Sequence, residues 1–265
     1  MRAINGTVTI GETEMDYISF GRGRQPLVMI PGLRDGLMTV KGKAVMGRLM
    51  YREYAARFRV YVFSRKRTLE EEADTASMAR DLAQALDSLE LEDCYVLGVS
   101  QGGMIAQHLA ARRPDLVKRL VLVVTVPRTN HILRANVERW MSLAQRGKGR
   151  QLMIDVTEQA HPERYLKKLR LGYPLMGLVS NIKDRERFLI QANACLHHDA
   201  TAVLDRIQAP TLVLAGEEDL TLGVEGSLEL SQSIPDCRLC IFPGQGHALY
   251  EDSDKFDKRV LGFLS

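Results

Sequence analysis

The stretch Gly98-Val99-Ser100-Gln101-Gly102 joins two contrasting patterns. It follows the apolar run 94–97 and precedes residues 103–111, which have a helical composition. A strand that turns at once into a helix strains the turning residue, and flanking glycines let the two backbones approach closely. The pattern is typical of a nucleophile elbow, which would hold the Ser100 hydroxyl at the top of a sheet. A plain structural turn is the alternative.

Short apolar runs alternate with helical patterns on both sides of this stretch. The predicted strands are 3–10 and 13–20, which form an antiparallel hairpin, then 26–30, 60–63, 94–97, 120–124, 210–215 and 238–242. The predicted helices among them are 45–58, 74–89, 103–111, 225–233 and 255–264. Such an alternation predicts an α/β fold, with a mostly parallel sheet of about eight strands flanked by helices.

The strand pattern is missing between the sixth and seventh predicted strands. Helical patterns replace it at 136–145, 162–171 and 183–196. We therefore expect a helical cap at 127–202, inserted after the sixth strand. Residues 1–126 and 203–265 would then form the α/β core.

Composition is that of an ordinary globular protein, with 45% hydrophobic and 26% charged residues in a chain of 265. One large domain with an insertion suits this length better than two separate domains. The first residues lack the apolar segment of a signal peptide, and no run approaches the roughly 18 apolar residues of a membrane span. We expect a soluble, cytoplasmic protein.

The net charge of +3 is unevenly distributed. Residues 128–200 hold 13 Lys and Arg against 7 Asp and Glu, so the predicted cap is the basic part. It lacks the dense basic stripe with interleaved aromatic residues that is typical of a nucleic-acid surface. We expect a small-molecule substrate, with no nucleic acid or membrane as partner.

The cysteines and histidines give little sign of a metal or cofactor. Cys94, Cys195, Cys237 and Cys240 are expected to be buried free thiols. The stretch His197-His198-Asp199 resembles a metal site, but adjacent residues on a helix diverge by about 100° and no further ligand is suitably spaced. The sequence predicts neither a metal nor a cofactor.

Polar loops follow the last two predicted strands. Asp219 ends the loop 216–219, and His247 ends the loop 244–247. Because the carboxyl ends of parallel strands share one edge of a sheet, both side chains can meet Ser100 there. A serine hydroxyl becomes a good nucleophile when a base takes its proton and a third group orients that base.

These motifs, in this order, resemble the α/β-hydrolase fold family, in its capped group of esterases, carbon–carbon bond hydrolases and related lyases. The resemblance covers nearly the whole chain. It implies that Ser100 attacks the substrate, that His247 acts as general base and then as general acid, and that Asp219 accepts a hydrogen bond from the other ring nitrogen. Glu217 and Glu218 compete with Asp219 for the acidic role, as members of a surface acidic turn.

The expected oxyanion hole combines the backbone N–H groups of Leu33 and Gln101. Many relatives have His-Gly where this chain has Pro31-Gly32, but the donor stands one residue beyond Gly32, so the missing N–H of Pro31 does not matter. Relatives often carry a glycine-rich Asp-x-Arg-Gly-x-Gly segment after the fourth strand. This chain has Ser64-Arg65-Lys66-Arg67-Thr68 instead, which places three cations on a predicted loop at the catalytic edge.

Four residues are predicted to bind substrate: Arg34, Arg65, Trp140 and Tyr173. The cations at 65–67, with Arg34 and the basic cap, would favour a carboxylate or phosphate on the substrate. The alternative is that these cations are solvated or paired with the acidic run 70–72. Trp140 and Tyr173 could form an apolar acyl pocket or the core of the cap itself.

The sequence predicts a serine hydrolase that cleaves a small ester, thioester or activated carbon–carbon bond. One alternative is a lyase of the same fold, which would use His247 and Ser100 to abstract a proton from an anionic substrate. The other is a ligand-binding protein without catalytic activity. The intact set of Ser100, Asp219 and His247 argues against this last reading.

Overall fold

A computed structural model describes residues 3–176, 184–253 and 255–265. Its centre is an eight-stranded sheet in the order β1-β2-β4-β3-β5-β6-β7-β8. The strands are β1 (Ile4–Ile10), β2 (Thr13–Gly21), β3 (Pro26–Ile30), β4 (Arg59–Lys66), β5 (Cys94–Val99), β6 (Val117–Val123), β7 (Thr211–Gly216) and β8 (Cys237–Phe242). Only β1 with β2 and β2 with β4 pair antiparallel, which confirms the predicted mostly parallel α/β sheet.

Strand β6 shows why the sheet is buried on both faces. Leu120 and Leu122 pack on one face, and Val121 and Val123 pack on the other, all with no solvent exposure. A strand covered on both sides needs a continuous apolar run, which is the pattern seen in the sequence.

Helices cover the two faces and fill the connection after β6. They are α1 (Ala44–Met50), α2 (Arg52–Arg57), α3 (Thr75–Ser88), α4 (Gln101–Arg112), α5 (His131–Gln145), α6 (Gly149–Ala160), α7 (Glu163–Leu169), α8 (Tyr173–Met176), α9 (Arg185–Leu196), α10 (Glu225–Ser233), α11 (Leu249–Asp252) and α12 (Phe256–Leu264). No helix in the described ranges is long and apolar enough to cross a membrane.

Two predicted elements differ in extent from the observed ones. The helix predicted at 45–58 is broken at Tyr51, whose φ of −100° and ψ of 34° leave the helical region, so two short helices replace it. The strand predicted at 60–63 continues through Lys66, so Arg65 and Lys66 lie in β4 and not in a loop. Their side chains are buried and paired, which lets charged residues end a strand.

Cysteine burial follows position in the sheet. All four thiols are free. Cys94 and Cys195 are buried as predicted, whereas Cys237 and Cys240 are half-buried. The prediction was wrong for this pair because β8 is the edge strand and has a neighbour on one side only.

Helices α5–α9 form the segment between β6 and β7, here called the inserted segment. Trp140 of α5 and Phe188 of α9 are buried in its core, which also includes Met104 of α4. The start of the helix predicted at 183–196 lies outside the described residues at Lys183, and α9 is described from Arg185. The inserted segment is therefore packed on the helix that follows Ser100.

Candidate active site

Ser100 sits in a strained backbone conformation between β5 and α4. Its φ is 54° and its ψ is −119°, a region that residues with side chains rarely occupy. The two nearby glycines permit this turn. A Cβ at Gly98 would lie 2.4 Å from the Gly102 carbonyl oxygen, and a Cβ at Gly102 would lie 2.0 Å from the Ile30 carbonyl oxygen. The half-buried serine is thus held at the carboxyl end of the sheet.

Asp219 and His247 form a buried pair at the same edge. His247 Nδ1 lies 2.8 Å from Asp219 Oδ2. The other carboxylate oxygen accepts hydrogen bonds from the backbone N–H groups of Thr221, at 2.8 Å, and Leu222, at 3.0 Å. Facing a carboxylate, Nδ1 carries the proton, so Nε2 is left as the basic nitrogen.

The neighbouring acids are placed differently. Glu217 is exposed and its Oε2 accepts a hydrogen bond from the Gly244 N–H at 2.9 Å, which ties the acid loop to the histidine loop. Glu218 is exposed. Asp219, only 6% exposed, is the acid of this loop that contacts His247.

Ser100 and His247 end parallel strands of one sheet, with β6 and β7 between them. No hydrogen bond joins their side chains in the described part of the chain, although Asp219 and His247 are bonded. Such bonds are often long in ligand-free enzymes and shorten when substrate binds.

The loop after β3 runs beside the nucleophile. A Cβ on Gly32 would lie 3.2 Å from Ser100 Cβ and 3.7 Å from Ser100 Oγ. Leu33 begins a 3-10 helix, Leu33–Gly36, and Gln101 begins α4. The N–H groups of first helical residues have no acceptor within the helix, and neither of these two has one among the described residues. Both are available to an oxygen bound near Ser100.

The four predicted substrate-binding residues occupy different environments. The exposed Arg34 pairs with Glu251 of α11 at 3.8 Å. Trp140 is buried and its Nε1 donates to Asp155 at 2.8 Å. The Tyr173 hydroxyl donates to Glu158 at 2.9 Å. Arg65 is 4% exposed and bonds to protein groups. Substrate contact by these residues stays a prediction.

The other two cations at the end of β4 are paired with acids. Lys66 Nζ lies 2.7 Å from Glu70 and 3.4 Å from Asp81, and the protein partners hold its pKa above the usual value despite burial. Arg67 pairs with Glu14 and Asp16. Pairing with the acidic run 70–72, one of the alternatives for these cations, is therefore found for Lys66, whereas Arg67 pairs with acids of β2.

Sequence reasoning did not predict a buried polar cluster that includes part of the loop after β3. It comprises Asp35, Arg65, Gln101, Arg187 and Gln191, which come from four separate parts of the chain. Arg187 of α9 donates to Asp35 Oδ2 at 2.6 Å, and Gln101 Nε2 donates to the Gln191 carbonyl oxygen at 2.6 Å. Nothing local in the sequence marks these residues as neighbours, since up to 152 positions separate the bonded pairs.

The inserted segment also contacts the loops that carry the acid and the base. Asn136 Nδ2 donates to the Leu220 carbonyl oxygen at 2.9 Å. The Ala248 N–H, directly after His247, donates to the Ala160 carbonyl oxygen at 2.9 Å. The segment thus touches each of the loops at the catalytic edge, including the loop that holds Asp35.

Comparison with known proteins places this chain in a fold family. The family model described as "alpha/beta hydrolase fold" matches residues 25–254. The structure of MGS-M2, an alpha/beta hydrolase enzyme from a Medee basin deep-sea metagenome library, superposes with a TM-score of 0.85 at 21% identity, covering 98% of this chain and 97% of that one. The chain belongs to the α/β-hydrolase fold family.

Two curated relatives carry names of hydrolases. A Serratia proteamaculans protein named "Putative carbamate hydrolase RutD" is 29% identical over 201 residues, covering 71% of this chain and 72% of the relative. A Chromobacterium violaceum pimeloyl-[acyl-carrier protein] methyl ester esterase is 32% identical over 181 residues, covering 63% of this chain and 67% of the relative. The family and these relatives support an enzyme of the hydrolase class that acts on small substrates.

Proposed function

We propose that this chain is a serine hydrolase that cleaves small-molecule esters, thioesters or activated carbon–carbon bonds. The observation that carries the proposal is the bonded pair of Asp219 and His247 at the sheet edge where Ser100 is held in a strained turn. Base, orienting acid and nucleophile are the three parts that acyl transfer by a serine requires.

The geometry suggests the following steps. His247 Nε2 takes the proton of Ser100 Oγ as this oxygen bonds to the substrate carbonyl carbon, and the carbonyl electrons move to its oxygen. That oxygen accepts hydrogen bonds from the N–H groups of Leu33 and Gln101. His247 then gives its proton to the leaving group, and the carbonyl reforms as an acyl-enzyme. Water, deprotonated by His247, releases the acid and restores Ser100.

We further propose that residues 127–202 act as a cap over this site. Helices of this segment bond to the loops after β3, β7 and β8. Side chains of α5 and α9 would then border the space above Ser100. The names of the two relatives both describe cleavage next to a carbonyl, which agrees with acyl transfer in a capped pocket.

The charges at the site bear on the choice of substrate. An anionic substrate was inferred from the cations at 65–67, and each of these makes bonds to protein groups. That removes the main support for a lyase acting on an anion. Arg34, on the loop beside Ser100, is the more exposed cation, and its long contact with Glu251 leaves it able to meet a substrate carboxylate. The hydrolase proposal does not depend on substrate charge.

Covalent labelling tests the proposal. The purified protein is treated with a fluorophosphonate probe beside the variants Ser100→Ala and His247→Ala, and the labelled peptide is identified by mass. We expect labelling on Ser100 that both substitutions abolish or nearly abolish, followed by turnover on a panel of esters and thioesters. A folded wild-type protein that takes no label would overturn the proposal.

A further inference from the structure

One guanidinium touches both segments that supply the proposed oxyanion donors. Arg65 Nη2 donates to the Pro31 carbonyl oxygen at 2.6 Å and to Gln101 Oε1 at 2.9 Å. Pro31 is two residues before Leu33, the first donor, and Gln101 is the second donor. Arg65 therefore bridges the loop after β3 and the first residue of α4.

The far side of the loop is fixed to the same strand end. Asp35 Oδ2 accepts a hydrogen bond from the Arg65 backbone N–H at 3.0 Å and one from Arg187 Nη2 at 2.6 Å. Arg187 Nη2 also donates to the Arg65 carbonyl oxygen at 3.0 Å. Since Leu33 lies between Pro31 and Asp35, its backbone is held from both sides.

A gain in folding stability does not by itself explain why Arg65 is buried. Its side chain is almost fully buried, and burial lowers its pKa to about 10. Its Nε and Nη1 have no hydrogen-bond partner among the described residues. Buried charges with unsatisfied groups cost stability, and apolar replacements of buried ion pairs are often neutral or stabilising. What the buried arginine supplies is a fixed geometry.

We propose that Arg65 is a positioning residue that holds both donors of the oxyanion hole in place, an inference that rests on the proposed function. In this proposal Arg65 acts on the two donors rather than on the substrate itself. It acts through the carbonyl of Pro31 and the side chain of Gln101. Donors that already point at the developing negative charge stabilise the transition state, and a small displacement of these donors lowers the reaction rate strongly.

The test uses phosphonylation of Ser100, because this reaction places an anionic oxygen in the hole and needs no known substrate. Rates of labelling by the fluorophosphonate are measured against probe concentration and pH for the wild type, Arg65→Met, Arg65→Lys and Arg67→Met. Arg67→Met is the matched control, since Arg67 is a partly exposed arginine two positions along that pairs with Glu14 and Asp16. Thermal unfolding checks that each variant is folded.

We expect Arg65→Met to lower the limiting labelling rate roughly tenfold to a hundredfold. The half-saturating probe concentration and the pH profile of labelling should stay unchanged, and so should the labelling rate of the Arg67→Met control. Both bonds come from Nη2, and a lysine ammonium keeps the buried charge and a donor nitrogen without the fixed planar geometry of the guanidinium, so Arg65→Lys should lose rate by a smaller factor. If Arg65→Met does not fold, the limiting labelling rate of Arg65→Lys tests the proposal instead.

Three results would overturn the inference while leaving the proposed function intact. The first is a wild-type limiting rate in both Arg65 variants. The second is a raised half-saturating concentration with an unchanged limiting rate, which would make Arg65 a ligand-binding residue. The third is a moved pH inflection, which would indicate damage to the pair of Asp219 and His247. A wild-type protein that takes no label would instead count against the proposed function itself.

Discussion

The two sides of Ser100 are built in different ways. On one side, Asp219 is held by backbone N–H groups two and three residues along the chain, and it bonds to a histidine in the next loop. On the other side, the loop at Leu33 is held by Arg65 and Arg187, which lie far away in sequence. The first side depends on local turns, and the second depends on buried charges brought together by the whole fold.

This contrast separates two kinds of variant. Substitution on the side of His247 should remove the chemistry and leave the protein folded, because the local turns survive. On the side of Leu33, loss of Arg187 should reduce stability, because it leaves the Asp35 carboxylate buried without its ion-pair partner, whereas loss of Arg65 should act mainly on the rate. The predictions below test this separation.

The largest expected effect comes from Asp219→Asn. An amide cannot stabilise the protonated His247 and can hold the ring in the wrong tautomer, so hydrolysis and labelling should slow about 10³- to 10⁴-fold. Labelling kinetics and thermal unfolding would show a loss of rate with little loss of stability. Glu218→Gln, at the exposed neighbouring acid, is the matched control. An equal loss in that control would mean that the acid is wrongly assigned.

Arg187→Met should have the next largest effect, this time on stability. It leaves the carboxylate of Asp35 buried without its ion-pair partner, which costs about 3–5 kcal/mol of unfolding free energy. Denaturant titration measures this change. Arg185→Met is the control, because Arg185 is an exposed arginine at the start of the same helix. Its unfolding free energy should stay within about 0.5 kcal/mol of that of the wild type.

A second substitution sharpens the result for Arg187. Asp35→Asn removes the buried charge but keeps an oxygen that can accept from the Arg65 N–H. The double variant Asp35→Asn with Arg187→Met should therefore be more stable than Arg187→Met alone. If the double variant is less stable by the sum of the two single losses, the ion pair is not what holds the loop.

The same contrast explains what the sequence could predict. The sheet, Ser100, Asp219 and His247 were predictable because each depends on a short pattern: an apolar run, a turn with glycines, and a polar loop after a strand. Their common location at one edge then follows because the carboxyl ends of parallel strands share that edge. The hydrophobic pattern also located the helical segment between β6 and β7.

The buried cluster could not be predicted in this way. Arg65 looked like a loop cation because charged residues usually lie in solvent, and its partners come from β3's loop, α4 and α9. Likewise, position 51 holds neither Gly nor Pro, so no local residue predicts the break between α1 and α2. Both features depend on tertiary contacts, which periodicity and local motifs do not encode.

A smaller loss of stability is expected from crowding at the elbow. A Cβ at Gly102 would lie 2.0 Å from the Ile30 carbonyl oxygen, so Gly102→Ala must push α4 away from β3 at a cost of about 1–3 kcal/mol. Gly32→Ala is the comparison, because Gly32 has an ordinary φ of −72° and its nearest new contact is 3.2 Å. Unfolding by denaturant should rank Gly102→Ala as clearly less stable.

The smallest effect concerns acid and the end of the inserted segment. His198, just after α9, donates from Nε2 to the Val126 carbonyl oxygen at 3.2 Å, so Nδ1 of the neutral ring accepts from the Thr75 hydroxyl at 2.8 Å. Its ring packs edge-on against His108. Burial lowers the pKa of His198 to about 3 and that of His108 to about 4, with the nearby Arg112 lowering the latter further. Both imidazoles are neutral in the folded protein at pH 6.

The sign of the pH effect follows from these values. Below its ordinary pKa of about 6.5, an unfolded histidine binds a proton that the folded protein excludes, so the unfolding free energy falls with pH down to the folded pKa. From pH 7 to pH 6 the two histidines should together cost about 1 kcal/mol. Denaturant titrations at both pH values would show His108→Gln with a shallower dependence and His197→Gln, at an exposed histidine, with the wild-type one. An identical pH dependence of the unfolding free energy in all three proteins would mean that His108 binds its proton in the folded protein as readily as in the unfolded chain.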